Sequence, residues 1–223
     1  GLVLTLTGEI ISRPYINLTM ELMRQFGAKI YWKDDNCIII ESSKYKSMPF
    51  YIENDWSAAS YWYQIATLSE KAKIVMPKLF ANSLQGDSKV AELFTQLGVQ
   101  TEYGEESVTI IKEGEIVKEF NYNFVNQPDL AQTFVVTCSL MNIPFKFTGL
   151  QSLKIKETDR IEALKKEMKK LGYVIHDADD SILWWDGERV SPTFQPIDTY
   201  EDHRMAMAFA PAALIYDNIV INN

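Results

Sequence analysis

Lys156, Glu157, Asp159 and Arg160, in the segment KETDR, form the densest chemical cluster of the chain. Two cations beside two carboxylates can bind an anion and still offer a proton donor or acceptor. The same composition also suits a charged helix start, with the acids favouring the dipole and the basic side chains solvated. A second cluster, Glu201, Asp202, His203 and Arg204, directly precedes a run of small and apolar residues. There Asp202 reads as a helix cap. Arg204, so near a helix N-terminus, opposes the dipole, and binding a carboxylate or phosphate is a purpose that accounts for it. Asp129, in NQPDLAQT, heads a similar run upstream. It reads equally as a cap and as a base for a substrate hydroxyl, provided a nearby lysine keeps it ionised.

The elements that must position these residues repeat. The pattern apolar-x-x-apolar-Gly-apolar-x-apolar occurs as LMRQFGAKI, LFTQLGVQT and EMKKLGYVI, with glycines at Gly27, Gly98 and Gly172, an interval of about seventy residues. Each ends an amphipathic run where a glycine C-cap before a strand is expected. At a similar interval Asp55, Asp129 and Asp202 each open a second kind of helix, rich in small residues and suited to close internal packing. Strands are expected at Leu2 to Thr7, 29–32, 37–41, 49–53, 73–76, 108–111, 145–148, 173–175 and 182–185. Strands alternating with helices imply an α/β domain whose helices cover a sheet. The loops before the first kind of helix, at 9–16, 81–88 and 153–160, are natural anion sites that can converge on one cleft.

The chain has 223 residues, 47% hydrophobic and 23% charged, an ordinary globular balance. Its formal charge of −8 argues against nucleic acid or an anionic membrane surface as partner. No apolar stretch is long enough to cross a bilayer, and no basic lead precedes the first strand, so the expectation is a cytoplasmic protein. Cys37 and Cys138 lie in apolar runs and read as buried thiols without a chemical role; His176 and His203 are too isolated for a zinc site. No metal is expected from these residues. The chain opens without Met and stops at IVINN just after a helix and strand, so it reads as a fragment incomplete at both ends.

KETDR followed by a helix, then DHRMAM some way on, resembles the EPSP synthase family. Agreement runs along nearly the whole chain. SRPYINLTMELMRQFG is similar to the family's S-x-P-Y-I-x-x-T helix, SAASY and LQGD follow in order, and NQPD resembles its loop with the catalytic Asp. The resemblance implies the enolpyruvyl transferase fold of repeated βαβαββ units in two domains that close on their substrates. Residues 1–53 would be the last unit of one domain and 54–223 most of the other.

It also implies the chemistry, and that no metal or organic cofactor is needed for it. The 5-hydroxyl of shikimate 3-phosphate attacks C2 of phosphoenolpyruvate, and phosphate leaves a tetrahedral intermediate. Asp129 would take the hydroxyl proton, and Glu157, with Lys156 close by, would serve proton transfer at the methylene carbon. Ser12, Tyr15, Asp129, Ser152 and Lys156 would contact shikimate 3-phosphate, and Arg160 and Arg204 phosphoenolpyruvate, with Asp202 and His203 in support. Ser152 departs from the family, some members having there an Asn that binds the shikimate moiety; a hydroxyl still hydrogen-bonds. Glyphosate would compete with phosphoenolpyruvate, and the full-length parent would be a monomer. Several basic residues of the family, including an N-terminal Lys-Ser and a final Lys, have no counterpart here, so the isolated chain is expected to be inactive. Two other readings remain: a non-catalytic anion-binding domain, and an enolpyruvyl transferase acting on UDP-N-acetylglucosamine, from which the KETDR and DHRMAM pair points away.

Overall fold

The computed structural model describes residues 1–222. It begins with β1 (Leu2–Thr5), α1 (Arg13–Gln25), β2 (Ile30–Asp34) and β3 (Cys37–Ile40), in which the strands form an antiparallel sheet of order β1-β3-β2. An extended segment leads to α2 (Trp56–Leu68), β4 (Lys73–Pro77), α3 (Val90–Thr95), β5 (Leu97–Tyr103) and β6 (Ser107–Ile116). Their sheet, β4-β6-β5, has the same order and sense as the first. Next come β7 (Phe120–Asn123), α4 (Ala131–Leu140), β8 (Phe145–Thr148), α5 (Arg160–Lys170), β9 (His176–Ala178) and β10 (Ile182–Trp185), a complete βαβαββ succession. Here α4 connects the parallel pair β7 and β8, and β8-β10-β9 repeats the antiparallel arrangement. The described chain closes with β11 (Ile197–Asp198), α6 (His203–Phe209) and β12 (Ile221–Asn222), another parallel pair joined through a helix. The fold is therefore of the α/β kind expected, with a strand-helix-hairpin unit used three times.

The two kinds of helix differ as their residues require. On α5, Ile161, Leu164 and Met168 at three- and four-residue spacing are buried, Asp159 caps the start by accepting from Glu162 N at 3.1 Å, and Lys169 and Lys170 lie in the last turn. The chain then turns at Gly172, whose φ of +91° suits glycine. By contrast α4 is buried on every side, and its polar Thr137 and Ser139 donate back to the carbonyls of Thr133 and Val135. It packs between α2 and α6, with Ser60 and Thr133 hydroxyls 3.3 Å apart and Gln64 Nε2 donating to Ala208 O at 3.0 Å. These three helices form the centre of the main core; Met20, Ile30 and Ile38 form a separate small core under β2 and β3.

Several expected elements differ. Residues 49–53 form no strand: Phe50 packs on Phe26 and Tyr51 on Phe80, at 5.6 and 5.7 Å between ring centroids, so aromatic contact replaces a ladder. Tyr173 makes only an isolated bridge to Arg189, and the strand runs instead from His176. Gly98 does not end a helix before the strand; at φ +80° it sits inside β5, where the register to β6 shifts. Asp129 is not an N-cap. Pro128 opens a short 3-10 turn over Pro128–Leu130, so α4 begins two residues later and the Asp129 carboxylate turns outward to other partners.

Candidate active site

Five helix beginnings meet at one cavity of about 330 Å³. Ser12 and Tyr15 bring the start of α1, Asp55 and Ser57 that of α2, and Arg204 that of α6. Gln85, Gly86 and Asp87 bring the 3-10 turn that leads into α3, and Pro128 and Asp129 the turn that leads into α4. Each beginning brings the positive end of its peptide dipoles, although Asp55 and Gln85 already take the Ser57 and Trp56 N–H groups and Asp202 takes that of Arg204.

The approach of α1 to the rest is close. A Cβ at Gly86 would stand 2.7 Å from Pro14 Cβ, so only glycine fits there. Ser12 N donates to Val125 O at 2.8 Å, and Ser12 itself holds φ 56°, a left-handed conformation uncommon for a side-chain-bearing residue and frequent at functional sites.

At the back of the cavity the two charged motifs and Asp129 come together. Asp129 Oδ1 lies 3.0 Å from Lys156 Nζ and 3.0 Å from Arg160 Nη1, and its Oδ2 is 3.8 Å from Arg204 Nη2. Burial alone would push its carboxyl up, but Arg204, Lys156 and Arg160 together outweigh burial and hold it below the ordinary carboxylate range. It is thus an ionised acceptor at neutral pH.

Arg160 is the structural centre of this group. It is 1% exposed, and its Nε and Nη2 reach both oxygens of the fully buried Asp202 at 2.7 and 3.3 Å. Its Nη2 also donates to Glu157 at 2.7 Å. Asp202 meanwhile accepts from Arg204 N at 2.9 Å, the cap expected of it, so one carboxylate both starts α6 and neutralises Arg160. The loop before α6 is fixed from behind by buried Glu167, which accepts from Asp198 N and the Tyr200 hydroxyl and pairs with Lys170 at 2.6 Å. Tyr200 and Glu201, both with positive φ, bring the chain round to Asp202.

The structure gathers most of the residues singled out in the sequence. Ser12, Tyr15, Asp129 and Arg204 line the cavity, while Lys156, Glu157, Arg160 and Asp202 are linked to it through Asp129 and one another. Ser152 does not line it: its hydroxyl is buried in the turn Gln151–Ile155, with no hydrogen-bond partner among the described residues. His203 is exposed at the first position of α6. Lining residues not assigned individually to the site from sequence include Asp55, Ser57, Gln85 and Asp87, although Asp55 was expected to start a helix and the loop at 81–88 to meet a cleft. Their signal was the place of DWSAAS and LQGD at the heads of repeated helices. Asp87 accepts from Ser57 Oγ at 2.6 Å, and burial pushes its carboxyl up to about 6, with Asp129 adding to the rise and Arg204 opposing it. Among the described residues no helix is long and apolar enough to cross a membrane.

Comparison with known proteins gives the family and the fold. The family model for EPSP synthase (3-phosphoshikimate 1-carboxyvinyltransferase) matches residues 1–223. The chain is 62% identical over its whole length to a 3-phosphoshikimate 1-carboxyvinyltransferase of Bacteroides fragilis, of which it covers 54%. It is 33% identical to one of Idiomarina loihiensis, covering 99% of this chain and 51% of that one. Among solved structures, an EPSP synthase from Acinetobacter baumannii superposes with a TM-score of 0.67 over 88% of this chain and 47% of that one, at 21% identity, a likeness of fold. The chain spans about half the length of the curated relatives it matches.

Proposed function

As the chain belongs to the EPSP synthase family, we propose that it forms about half of an enzyme that transfers the enolpyruvyl group of phosphoenolpyruvate to the 5-hydroxyl of shikimate 3-phosphate. The observation that carries this reading is the ionised Asp129 held by Lys156 and Arg160, with Arg204 beside it, where five helix beginnings meet.

In this account the 5-hydroxyl oxygen bonds to C2 of phosphoenolpyruvate as its proton passes to Asp129, an acceptor kept available by its cations. The methylene carbon gains a proton from the Glu157 side, which gives the tetrahedral intermediate. Loss of phosphate from C2 and of one proton from the methyl carbon then restores the double bond in the product. Glu157, half exposed and fixed by Arg160, can reach an incoming carbon without leaving its partner.

Arg160 makes four contacts through its N–H groups, one from Nε, one from Nη1 and two from Nη2. A guanidinium has about five N–H donors in all, so one on Nη1 remains for a ligand among the described partners. Arg160 therefore acts mainly by orienting Asp129, Glu157 and Asp202, and touches phosphoenolpyruvate by a single bond unless a carboxylate lets go. Arg204, partly exposed in the cavity, is the fuller anion contact, and its planar fork suits a carboxylate or phosphate. Ser12 and Tyr15 face the same space and suit the sugar-like ring and phosphate of shikimate 3-phosphate. Ser152 would join them only after its turn moves.

Three aspartates, Asp55, Asp87 and Asp129, face one arginine in the cavity lining. Two polyanionic substrates need more cations than that, which supports a site completed by the rest of the relatives' length; in this reading residues 1–53 and 54–223 are parts of two domains. The chain alone is then inactive. The test is to combine it with a separately produced remaining half of a relative and identify the product by mass spectrometry. The reading expects 5-enolpyruvylshikimate 3-phosphate from the mixture only. Enolpyruvyl transfer to UDP-N-acetylglucosamine instead would overturn the acceptor assignment. No product from a mixture shown to associate would leave a non-catalytic anion-binding domain as the better description.

A further inference from the structure

Tyr61 lies on α2 with its side chain 6% exposed, and among the described residues its hydroxyl has no hydrogen-bond partner within bonding distance. The amide oxygen of Gln132, fully buried in the first turn of α4, is likewise unpartnered, while its Nε2 donates to the Asp129 carbonyl. A buried polar oxygen left unpaired costs about 1–3 kcal/mol, so two of them beside a functional cleft call for an explanation.

Gln132 is close enough to influence the Tyr61 hydroxyl, and helix geometry says what faces Tyr61. The helices α2 and α6 both start at the cavity, and further in Gln64 Nε2 donates to Ala208 O at 3.0 Å. One helical turn back from each of these partners, three residues on α2 and four on α6, brings Tyr61 opposite Arg204. The electrostatics agree. Burial pushes the Tyr61 hydroxyl up while the Arg204 charge is the largest influence opposing it, and Asp129 and then Tyr61 are the leading influences favouring the charged Arg204 against its own burial. Arg204 has need of such support, because its ion-pair contact with Asp129, at 3.8 Å, is long.

We propose that the Tyr61 hydroxyl and the Gln132 amide oxygen form a seat for the Arg204 guanidinium, making Tyr61 a positioning residue that sets how Arg204 meets an anion in the cavity. Two acceptors on adjacent helices suit a planar fork that presents its N–H groups in fixed directions. The purpose of the seat rests on the reading of Arg204 as an anion contact; its existence does not.

The test reads the guanidinium itself, by nitrogen-15 NMR of arginine Nε–H groups in the 223-residue chain, with the Arg204 signal assigned through Arg204→Lys. Tyr61→Phe removes one oxygen and keeps the ring. The expected result is Arg204 Nε–H exchange about tenfold faster, the loss of one hydrogen bond of ordinary strength. The Arg160 signal, anchored on Asp202, should stay unchanged, and the melting temperature should fall by no more than the few degrees that one hydrogen bond accounts for. Gln132→Met gives the same readout should the tyrosine variant fold poorly. Unchanged Arg204 exchange in a folded variant overturns the proposal, and so does a fall in melting temperature with both arginine signals altered alike, which is what a merely structural tyrosine gives. Whether Arg204 contacts substrate is decided separately, by turnover of the Arg204→Ala chain mixed with the complementary half.

Discussion

Replacing Arg160 by methionine should reveal how much of the fold depends on one buried ion pair. The substitution keeps an unbranched chain of similar reach and removes the charge. Asp202, fully buried, then keeps only the Arg204 backbone N–H among its close partners named above, with its negative charge uncompensated. Breaking such a pair by removing one member costs about 3–5 kcal/mol. The other losses are smaller: Glu157 is half exposed and Asp129 keeps Lys156, each worth about 0–1 kcal/mol.

For a chain of this size 1 kcal/mol moves the melting temperature by about 2–4 °C, so the drop should be about 6–20 °C. The measurement is urea and thermal unfolding at pH 7, at low and high salt. A buried pair is little screened, so the deficit should persist in salt. The double variant Arg160→Met with Asp202→Asn removes both charges and leaves an amide oxygen to cap α6; it should recover more than half of the loss. A deficit below about 1 kcal/mol, or a double variant no better than the single one, would refute this reasoning.

Three further outcomes follow from the same geometry. Asp129→Asn should destabilise by about 1–2 kcal/mol at pH 7. Because the folded Asp129 carboxyl lies below its ordinary value, its contribution is complete above about pH 4 and lost as pH falls through the lower folded value; an equal gap at pH 7 and pH 2 contradicts it. Asp87→Asn should act the other way, stabilising by about 2 kcal/mol at pH 8. With its folded carboxyl raised to about 6, the protonated form favours folding, and this is lost as pH rises from about 4 through that value; stability curves of the two proteins that run parallel over that window exclude it. Gly149→Ala should cost about 2–4 kcal/mol, since φ is +74° and a Cβ would stand 2.2 Å from Asn123 Oδ1 and 2.5 Å from Val125 N; denaturation showing a loss under about 0.5 kcal/mol would mean that the turn yields easily.

The helices and the chemical motifs were readable from sequence because each depends on local information. Caps such as Asp55 and Asp202, the three- and four-residue apolar spacing of α5 and the terminal glycines are all local features. What failed depended on neighbours distant in the chain. Residues 49–53 have a strand-like composition, yet no strand lies beside them and their rings pack on Phe26 and Phe80 instead. The strand β5, with Gln100, Thr101 and Glu102 along it, looks too polar until β6 supplies its ladder. Asp129 was ambiguous because its role is set by Lys156, Arg160 and Arg204, none of which is near it in sequence. Pro128 was the local clue that the turn would carry Asp129 away from the helix start.

The most direct test of the central claim is phosphate release from phosphoenolpyruvate and shikimate 3-phosphate, measured for this chain alone and for its mixture with the complementary half, with Asp129 native or changed to Ala. The account predicts no release from the chain alone, steady release from the native mixture, and at least a hundredfold slower release with Asp129→Ala, the scale of losing a positioned base. Undiminished release by the Asp129→Ala mixture would contradict it, because the carboxylate on which three cations converge would then have no part in the reaction.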